Sequence, residues 1–273
     1  MEALVTGDSG TVGSAVTRRL EREGWQVRAP DRAALGDARA LRAIARGVGL
    51  AVHCAASRSN DLAECRRVNV EGTARLVDAL VEGGCRLLVH ISTLSVYDDG
   101  AGPRFDEDSA LQATPGDAYG FTKAEAERVV LGAAPRGLDA VILRPGLVLS
   151  MHPRSRWGPL ALERARAAPG SILPFPLVPY VDVENLAGAV LLAATIPAAR
   201  GRAYNVIDGV GDGAEYLAAV YGAIGLPPPP IPLDAPRLSY SGERARQELG
   251  YAPVGRWREF LVQLAATFPA RQA

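Results

Sequence analysis

Lysine is nearly absent from this 273-residue sequence. Of the 30 basic residues, 29 are Arg and the single exception is Lys123. Such a bias is typical of a GC-rich coding preference, which supplies Arg wherever any cation will serve. Position 123 is the one place that departs from it, so Lys123 becomes a candidate functional residue.

The sequence also has no excess of charge and few cysteines. Its 30 basic residues balance 30 acidic ones, so no global field attracts nucleic acid or an anionic membrane. No apolar stretch approaches the roughly 20 residues that a membrane span needs, and residues 1–6 resemble a strand, not a signal peptide. Cys54, Cys65 and Cys85 are odd in number and form no C-x-x-C pair, which disfavours disulfides and a zinc site. We therefore expect a cytoplasmic protein without metal, nucleic-acid partner or membrane contact.

The first half of the chain alternates strand and helix signals. The whole sequence is 48% hydrophobic, which is enough for the core of one large domain. Several predicted strands are continuous apolar runs, as in a parallel sheet covered on both faces. This pattern predicts an α/β fold with a doubly wound Rossmann sheet. The predicted strands are 2–6, 25–29, 50–55, 86–92 and 138–143, and the predicted helices are 11–24, 37–46, 62–82 and 117–131.

The character of the sequence changes after Arg144, where seven prolines fall between positions 145 and 179. We expect few regular elements there, then a helix at 183–195 and a strand at 202–207 that returns to the main sheet. The predicted Rossmann domain comprises 1–145 plus roughly 181–207. Residues 146–180 and 208–273 are expected to form a small substrate-binding region, the last part of it at the carboxyl terminus.

A glycine-rich segment directly follows the first strand and opens the first helix. Glycines at 7, 10 and 13 permit a tight turn, close approach of the backbone to a pyrophosphate, and tight packing of helix on strand. Backbone N–H groups at the helix N-terminus then favour the anion. The segment predicts a nucleotide site, in which we expect contacts from Gly7, Ser9, Gly10, Thr11, Val12 and Gly13.

The end of the second strand bears on the choice between NAD and NADP. Asp31 lies about 20 residues past the glycine segment, where a carboxylate takes the ribose hydroxyls of NAD and repels the 2′-phosphate of NADP. Arg32 is the complication, because a guanidinium can grip that phosphate or stack on adenine. Asp8, inside the glycine segment, also argues against the extra phosphate. We expect NAD, with NADP as the alternative; Asp37 has two interpretations, an adenine contact or a helix cap.

Tyr119 and Lys123 stand four residues apart, so on a helix they share one face. With eight Tyr in the chain, the sole Lys would fall four after a Tyr only about 3% of the time by chance. A phenol has an unperturbed pKa near 10 and is a poor proton carrier at pH 7, and a nearby cation favours its phenolate. The pair therefore indicates a general acid/base, and hydroxyls in the segment 92–95 are placed to hold a substrate oxygen beside it.

These motifs together resemble the extended short-chain dehydrogenases/reductases, which include nucleotide-sugar epimerases, dehydratases and ketoreductases. The likeness covers nearly the whole chain. It runs through T-G-x-x-G-x-x-G at 6–13, H-C-A-A at 53–56, N-V-x-G-T at 69–73, S-T-x-x-V-Y at 92–97, Y-x-x-x-K at 119–123, R-P at 144–145, Y-V-D-V-E-N-L-A at 180–187 and E-L-G-Y at 248–251.

The resemblance implies roles for further residues. Thr93 takes the catalytic Ser/Thr position beside Tyr119 and Lys123, and the latter two also contact the cofactor. Ala55, Ala56, Ser92 and Pro145 are implied as cofactor contacts. For Asn69 two interpretations stay open, support of the catalytic site or a bracket for the backbone alone.

The implied activity is transfer of a hydride between NAD(P) and a carbinol or ketone carbon of a small molecule. The alternative is epimerisation or dehydration of a sugar nucleotide with internally recycled NAD, and a cofactor-sensing protein without catalysis is a third hypothesis. Leu147 and Ile231 depart from the Asn and Arg that are common in sugar-nucleotide enzymes of the family, although Arg154, Arg156 or Arg237 is available as a substitute. Helices 62–82 and 117–131 are candidates for the interface of a homodimer.

Overall fold

The core of the computed structural model, which describes residues 1–31, 34–172 and 174–267, is a parallel sheet of six strands. Their order across the sheet is β2-β1-β3-β4-β6-β9. The predicted doubly wound α/β fold is confirmed. The strands are β1 (Glu2–Thr6), β2 (Gln26–Arg28), β3 (Leu50–His53), β4 (Leu87–Ile91), β6 (Asp139–Pro145) and β9 (Ala203–Val206).

Rows of apolar side chains across neighbouring strands fill the space on both faces of this sheet. Val5, Val52, Val89 and Val141 are in register and pack in one buried layer with helices α1 and α7 (Thr11–Arg22 and Val183–Thr195). The next residues towards the amino end of each strand form a second row facing the opposite layer: Leu4, Ala51, Leu88 and Ala140. Both faces being buried explains why the strands lack apolar–polar alternation in sequence.

The opposite layer contains the remaining helices of this half of the chain. They are α2 (Ala38–Ala45), α3 (Leu62–Cys65), α4 (Gly72–Glu82) and α5 (Ala118–Leu131). The single α-helix predicted at 62–82 is wrong in one detail, because a π-helical turn at Arg66–Glu71 separates α3 from α4. A π turn adds a residue to the helical register and commonly occurs at functional sites.

A smaller unit, formed mostly by the chain after β6, covers the carboxyl edge of the sheet. It contains a three-stranded sheet in the order β10-β8-β7 and a two-stranded pair of β5 and β11. These strands are β5 (Arg104–Phe105), β7 (Leu147–Leu149), β8 (Leu177–Asp182), β10 (Gly209–Asp212) and β11 (Ser239–Tyr240), and the helices of this part are α6 (Pro159–Ala167), α8 (Gly213–Ala223), α9 (Glu243–Leu249) and α10 (Trp257–Ala266).

The proline-rich segment is more regular than the sequence indicated, since it contains β7, α6 and β8. Pro159 occupies the first turn of α6, where the missing N–H has no partner to lose. Among the described residues, no helix combines the length and the apolar character that crossing a membrane requires.

From β1 the chain adds β2 on one side, and it then returns to add β3 on the other side. The direction in which strands are added therefore reverses at β1. In open α/β sheets, ligands bind outside the carboxyl ends of the strands at such a switch point. The fold therefore brings the glycine segment after β1 and the loops after β3 and β4 to one crevice.

Candidate active site

The glycine segment makes the tight strand–turn–helix connection that its spacing predicts. Gly7 has φ +70°, and a Cβ at this position would lie 2.9 Å from the backbone N of Ala55. A Cβ on Gly13 would lie only 2.1 Å from the carbonyl oxygen of Gly7. Side chains are excluded at both positions, so the turn stays open to a ligand's phosphates.

Helix α1 has no side-chain cap, unlike the five helices of the described residues that an Asp caps. It begins after Gly10, without a capping hydrogen bond and without an acid in its first turn. The free N–H groups of the first turn, at Thr11 and Val12, are suited to an anion. Asp residues cap five other helices: Asp37 for α2, Asp61 for α3, Asp117 for α5, Asp182 for α7 and Asp212 for α8.

The structure shows what the two acids beside the second strand contact. Asp31 follows β2 at the carboxyl edge, and its carboxylate accepts a hydrogen bond from Ala34 N at 2.7 Å. Asp37 accepts from Arg39 N and Ala40 N at 2.8 and 3.3 Å, which supports the cap interpretation. Arg32 lies outside the described residues, and cofactor contacts by Asp31 and Asp37 stay predictions.

A polar row joins the glycine segment to the loop after β3. Thr6 Oγ1 lies 2.6 Å from His53 Nδ1 and accepts from Cys54 N and Ala55 N, each at 3.2 Å. His53 Nε2 lies 3.0 Å from Thr73 Oγ1. Burial lowers the pKa of His53 to about 3, so its neutral ring serves as a structural link. The row holds Ala55, and Ala56 after it, beside Gly7.

Asn69, in the π turn, brackets the same loop. Its Oδ1 accepts from Ser57 N at 2.7 Å, and its Nδ2 donates to Ser57 O and Thr122 Oγ1, each at 3.0 Å. Asn69 is buried, and its amide is engaged by these contacts. Of the two interpretations, the structure supports the bracket: Asn69 ties the loop after β3 to α5.

Tyr119 and Lys123 lie one turn apart on α5, as their spacing predicts. Asp117 caps this helix, and a Cβ on Gly120 would lie 2.1 Å from Ser95 O. This close approach presses the start of α5 against the loop that carries Thr93. Tyr119 is half-buried and Thr93 is buried. Because the start of α5 lies against this loop, the three predicted catalytic residues are at one edge of the sheet.

Lys123 is buried in spite of its charge. Its Nζ donates to Ile91 O at 2.8 Å and lies 2.9 Å from His90 Nε2. Burial lowers the pKa of Lys123 to about 7, against the opposing effect of the Glu127 carboxylate. A compact ammonium reaches these two acceptors from α5, in a space where the larger planar guanidinium has a different geometry.

The two hydroxyls after β4 point to different partners. Ser92 Oγ donates to Glu127 Oε1 at 2.5 Å, so this hydroxyl is engaged in the interior. Thr93 Oγ1 accepts from Ser95 N at 3.2 Å and lies 3.3 Å from Ser95 Oγ. Pro145 is buried at the end of β6, opposite Val206. Cofactor contacts by Ser92 and Pro145 stay predictions.

Sequence reasoning missed an interior ion pair under this site. Arg144 Nε and Nη2 donate to the two carboxylate oxygens of Glu127 at 3.0 and 2.7 Å, and both side chains are at most 5% exposed. Arg144 Nη1 also donates to Tyr97 Oη at 2.9 Å. The available signal was the continued four-residue spacing 119, 123, 127 on α5.

Arg58 and Arg154 are two further cations at the site. The Arg58 guanidinium lies over the Tyr119 ring, with Cζ 4.6 Å from the ring centroid. Arg154 Nη1 donates to Ser9 Oγ at 3.1 Å, so Arg154 lies on the glycine segment. The sequence suggested Arg154 as a substrate contact, whereas the structure places it beside the predicted cofactor phosphates.

A family model described as the NAD dependent epimerase/dehydratase family matches residues 3–206. The chain belongs to this family. It is 30% identical to dTDP-4-dehydrorhamnose reductase of Mycobacterium tuberculosis over 292 aligned positions, which cover 96% of this chain and 92% of the relative. Sterol demethylase protein B of Methylococcus capsulatus is 32% identical over 232 positions, covering 76% and 69%.

Solved structures agree with the family assignment. MoeE5 in complex with UDP-glucose and NAD is 26% identical, covers 97% of each chain and has a TM-score of 0.81. A short-chain dehydrogenase/reductase superfamily protein from Agrobacterium tumefaciens with bound NAD is 27% identical, covers 97% of this chain and 96% of its own, and has a TM-score of 0.77. The predicted family, fold class and enzyme class, an NAD(P)-dependent oxidoreductase or epimerase/dehydratase, are confirmed.

Replacing Glu127 tests the interior ion pair. Glu127→Gln leaves the Arg144 guanidinium buried without its counter-charge, and breaking a buried pair in this way costs about 3–5 kcal/mol. We expect the free energy of unfolding, measured by urea denaturation, to fall by that amount. Glu125→Gln is the matched control, two residues earlier on α5: it removes an exposed pair with Arg66, worth about 1 kcal/mol or less. Equal losses of unfolding free energy in the two variants would contradict the assignment of Glu127 and Arg144 as a stabilising buried ion pair.

Proposed function

We propose that this protein is an NAD-dependent oxidoreductase that moves a hydride between nicotinamide and a carbinol or ketone carbon of a small molecule. The observation that carries the proposal is the placement of Tyr119 and Lys123. Both lie on one face of α5, next to Thr93, at the sheet edge where the uncapped helix α1 also begins. A proton-transfer site and an anion cradle thus share one crevice.

The chain's own residues fit a dinucleotide. The backbone at Gly7, Ser9, Gly10, Thr11, Val12 and Gly13 would hold the pyrophosphate, because the turn excludes side chains and the helix end has free N–H groups. Asp31 would take ribose hydroxyls, with Ala55 and Ala56 lining the same wall. The bound nicotinamide supplies the hydride acceptor or donor. The carboxylate of Asp31 supports NAD over NADP.

Proton transfer is assigned to Tyr119. As the hydride leaves an alcohol carbon, the Tyr119 oxygen takes the hydroxyl proton, and in the reverse direction it returns this proton to the carbonyl oxygen. Thr93 Oγ1 orients the reacting oxygen. Lys123, one turn after Tyr119 on α5, is assigned as the cation that serves Tyr119 and the nicotinamide ribose.

A second candidate is epimerisation or dehydration of a sugar nucleotide, in which the hydride returns to the same molecule. It is supported by the UDP-glucose and NAD bound in MoeE5 and by the likeness to UDP-glucose 4-epimerase of Vibrio cholerae, which is 25% identical over 76% of this chain. The likeness to dTDP-4-dehydrorhamnose reductase supports the first candidate instead. In both candidates, residues 146–180 and 208–267 cover the substrate beside the Rossmann part of the chain. We also propose that the protein forms a homodimer through the helical face of α4 and α5. Its proposed location is the cytoplasm.

Replacing Tyr119 by Phe tests the catalytic assignment. The ring and its stacking remain, but the proton carrier is lost, so we expect kcat to fall by about 10²–10⁴-fold while NAD binding, measured by calorimetry, stays largely intact. Tyr240→Phe is the control, since Tyr240 stacks on Phe105 away from Lys123. Retained turnover in the Tyr119 variant would overturn the assignment.

The stoichiometry of the cofactor separates the two candidates. For the net oxidoreductase we expect the absorbance of the reduced nicotinamide to change by one equivalent for each substrate molecule converted. An epimerase or dehydratase would convert many substrate molecules with no net change and would retain NAD through purification. Conversion without net absorbance change therefore selects the second candidate.

A further inference from the structure

His90 is a buried histidine that contacts the single lysine of the chain. It lies on β4 two residues after Leu88, so its side chain faces the same side of the sheet, towards the layer that contains α5. His90 is fully buried, and its Nε2 lies 2.9 Å from Lys123 Nζ. The imidazole and the ammonium therefore form one buried polar pair.

The charge states of the two groups decide which atom donates in this pair. A neutral imidazole carries a proton on one nitrogen and accepts a hydrogen bond at the other, whereas an ammonium only donates. Burial, followed by the positive charges of Lys123 and His53, holds the pKa of His90 well below its usual range, so its ring is neutral. Nε2 of His90 therefore accepts from Lys123 Nζ, and the ring proton lies on Nδ1.

The Nδ1 atom of His90 has no hydrogen-bond partner among the residues that the structure describes. A buried donor without a partner costs stability, and such groups are rare in native proteins. An apolar ring of similar size would avoid this cost, so packing alone does not account for an imidazole at position 90. The hydrogen bond at Nε2 is the property that such a ring would lack.

His53, on the neighbouring strand, has the opposite tautomer. The two histidines face each other in the β3–β4 register, with ring centroids 5.2 Å apart. Thr73 Oγ1 donates to Asn69 O at 2.5 Å, so the Thr73 oxygen accepts from His53 Nε2. Thr6 Oγ1 then donates to His53 Nδ1. His53 is thus protonated at Nε2 and serves the loop after β3, whereas His90 serves α5.

The Lys123 ammonium has three N–H donors. One goes to His90 Nε2 at 2.9 Å and one to Ile91 O at 2.8 Å, and both acceptors belong to β4. With two N–H bonds directed to the strand, the third is left for a group outside it. The strand therefore determines how the ammonium is oriented.

We propose that His90 is a positioning residue for Lys123: its neutral imidazole accepts one ammonium N–H at Nε2 and, together with Ile91 O, leaves a single N–H for Tyr119 and the nicotinamide ribose. The inference rests on the proposed function, in which Lys123 serves those two groups. His90 acts through Lys123 and not on the substrate itself. A donor that is oriented in advance needs no reorganisation at the moment of reaction.

Other groups also act on the Lys123 ammonium. Burial has the largest effect and lowers its pKa to about 7. One carboxylate and one thiol act to raise this pKa, and one guanidinium acts to lower it. These groups are Glu127, Cys54 and Arg58. His53 is neutral, since burial lowers its pKa to about 3. His90 thus stabilises the ammonium as an uncharged acceptor, and its loss is expected to lower the pKa of Lys123 further.

Titration of Lys123 in the cofactor-free, full-length protein tests the proposal. Because the chain has a single lysine, ¹³C-lysine labelling reports on Lys123 alone. His90→Phe keeps a planar ring but removes the acceptor, so we expect the Lys123 midpoint to fall by about one pH unit or more. His90→Gln offers an amide oxygen as acceptor and should keep the midpoint close to that of the unchanged protein. The control is His152→Phe, the same exchange at a histidine whose ring accepts from Arg154 N, which should leave the midpoint unchanged.

The tautomer of His90 gives a second measurement on the unchanged protein. With ¹⁵N-labelled histidine, about one pH unit below the Lys123 midpoint, NMR should show His90 protonated at Nδ1 and His53 at Nε2. This result decides the proposal by itself if the His90→Phe variant does not fold.

Three outcomes would overturn the proposal. They are a His90 proton on Nε2, a Lys123 midpoint that is unchanged or raised in the His90→Phe variant, and an equal fall of the midpoint in the His90→Gln and His90→Phe variants. Neither measurement requires turnover. Failure of hydride transfer therefore counts against the proposed function alone, and any of the three outcomes against the role of His90 alone.

Discussion

The buried ion pair between Glu127 and Arg144 determines where α5, the helix of Tyr119 and Lys123, lies on the sheet. Glu127 belongs to α5 and Arg144 to β6. The two hydrogen bonds of this bidentate pair hold the helix against the strand. Ser92, at the end of β4, donates to the same carboxylate. The pair thus joins one helix to the carboxyl ends of two strands, which is the edge where the reaction is proposed to occur.

The ion pair between Glu127 and Arg144 belongs to a larger connected set of buried polar groups. Arg144 donates to Tyr97, whose hydroxyl donates to Asn205 Oδ1 in β9 at 2.7 Å. Asn205 N in turn donates to Glu107 Oε1 at 2.8 Å. A buried polar network is stable only when its members are satisfied, so each of these contacts supports the others. Loss of Glu127 would leave charge and hydrogen-bonding groups unpaired about two turns along α5 from Tyr119.

Lys123 depends on the same arrangement, because it lies one turn before Glu127 on α5. Its ammonium is held by Ile91 O and His90 within the interior, and the nearby carboxylate compensates part of the cost of burying it. An ammonium that is buried and poorly compensated loses its proton more readily than an exposed one. The surroundings of Lys123 therefore set the pKa of the group that is proposed to serve Tyr119 and the cofactor.

The features that the sequence predicted are those with local causes. The glycine segment, the Tyr119–Lys123 spacing and the apolar strands are each determined by neighbouring residues, and the structure reproduces them. Arg58 comes to lie over the Tyr119 ring only through the path of the loop after β3. Arg144 meets Glu127 only once β6 lies beside β4. The strand β7 has only three residues and β8 contains Pro179, so neither gives a clear periodicity in the sequence. The π turn depends on Asn69 bonding across to Ser57 and Thr122.

Because the chain has a single lysine, the central claim can be tested directly. The claim is that a buried ammonium with a lowered pKa lies one turn from Tyr119 on α5. Labelling the protein with ¹³C-lysine gives side-chain NMR signals from Lys123 alone, and Lys123→Arg removes them for assignment. Titration of the cofactor-free protein is predicted to show a midpoint close to pH 7, since burial lowers the pKa to about 7. A midpoint near the ordinary value of 10.5 would show an exposed, unperturbed lysine and would contradict the account.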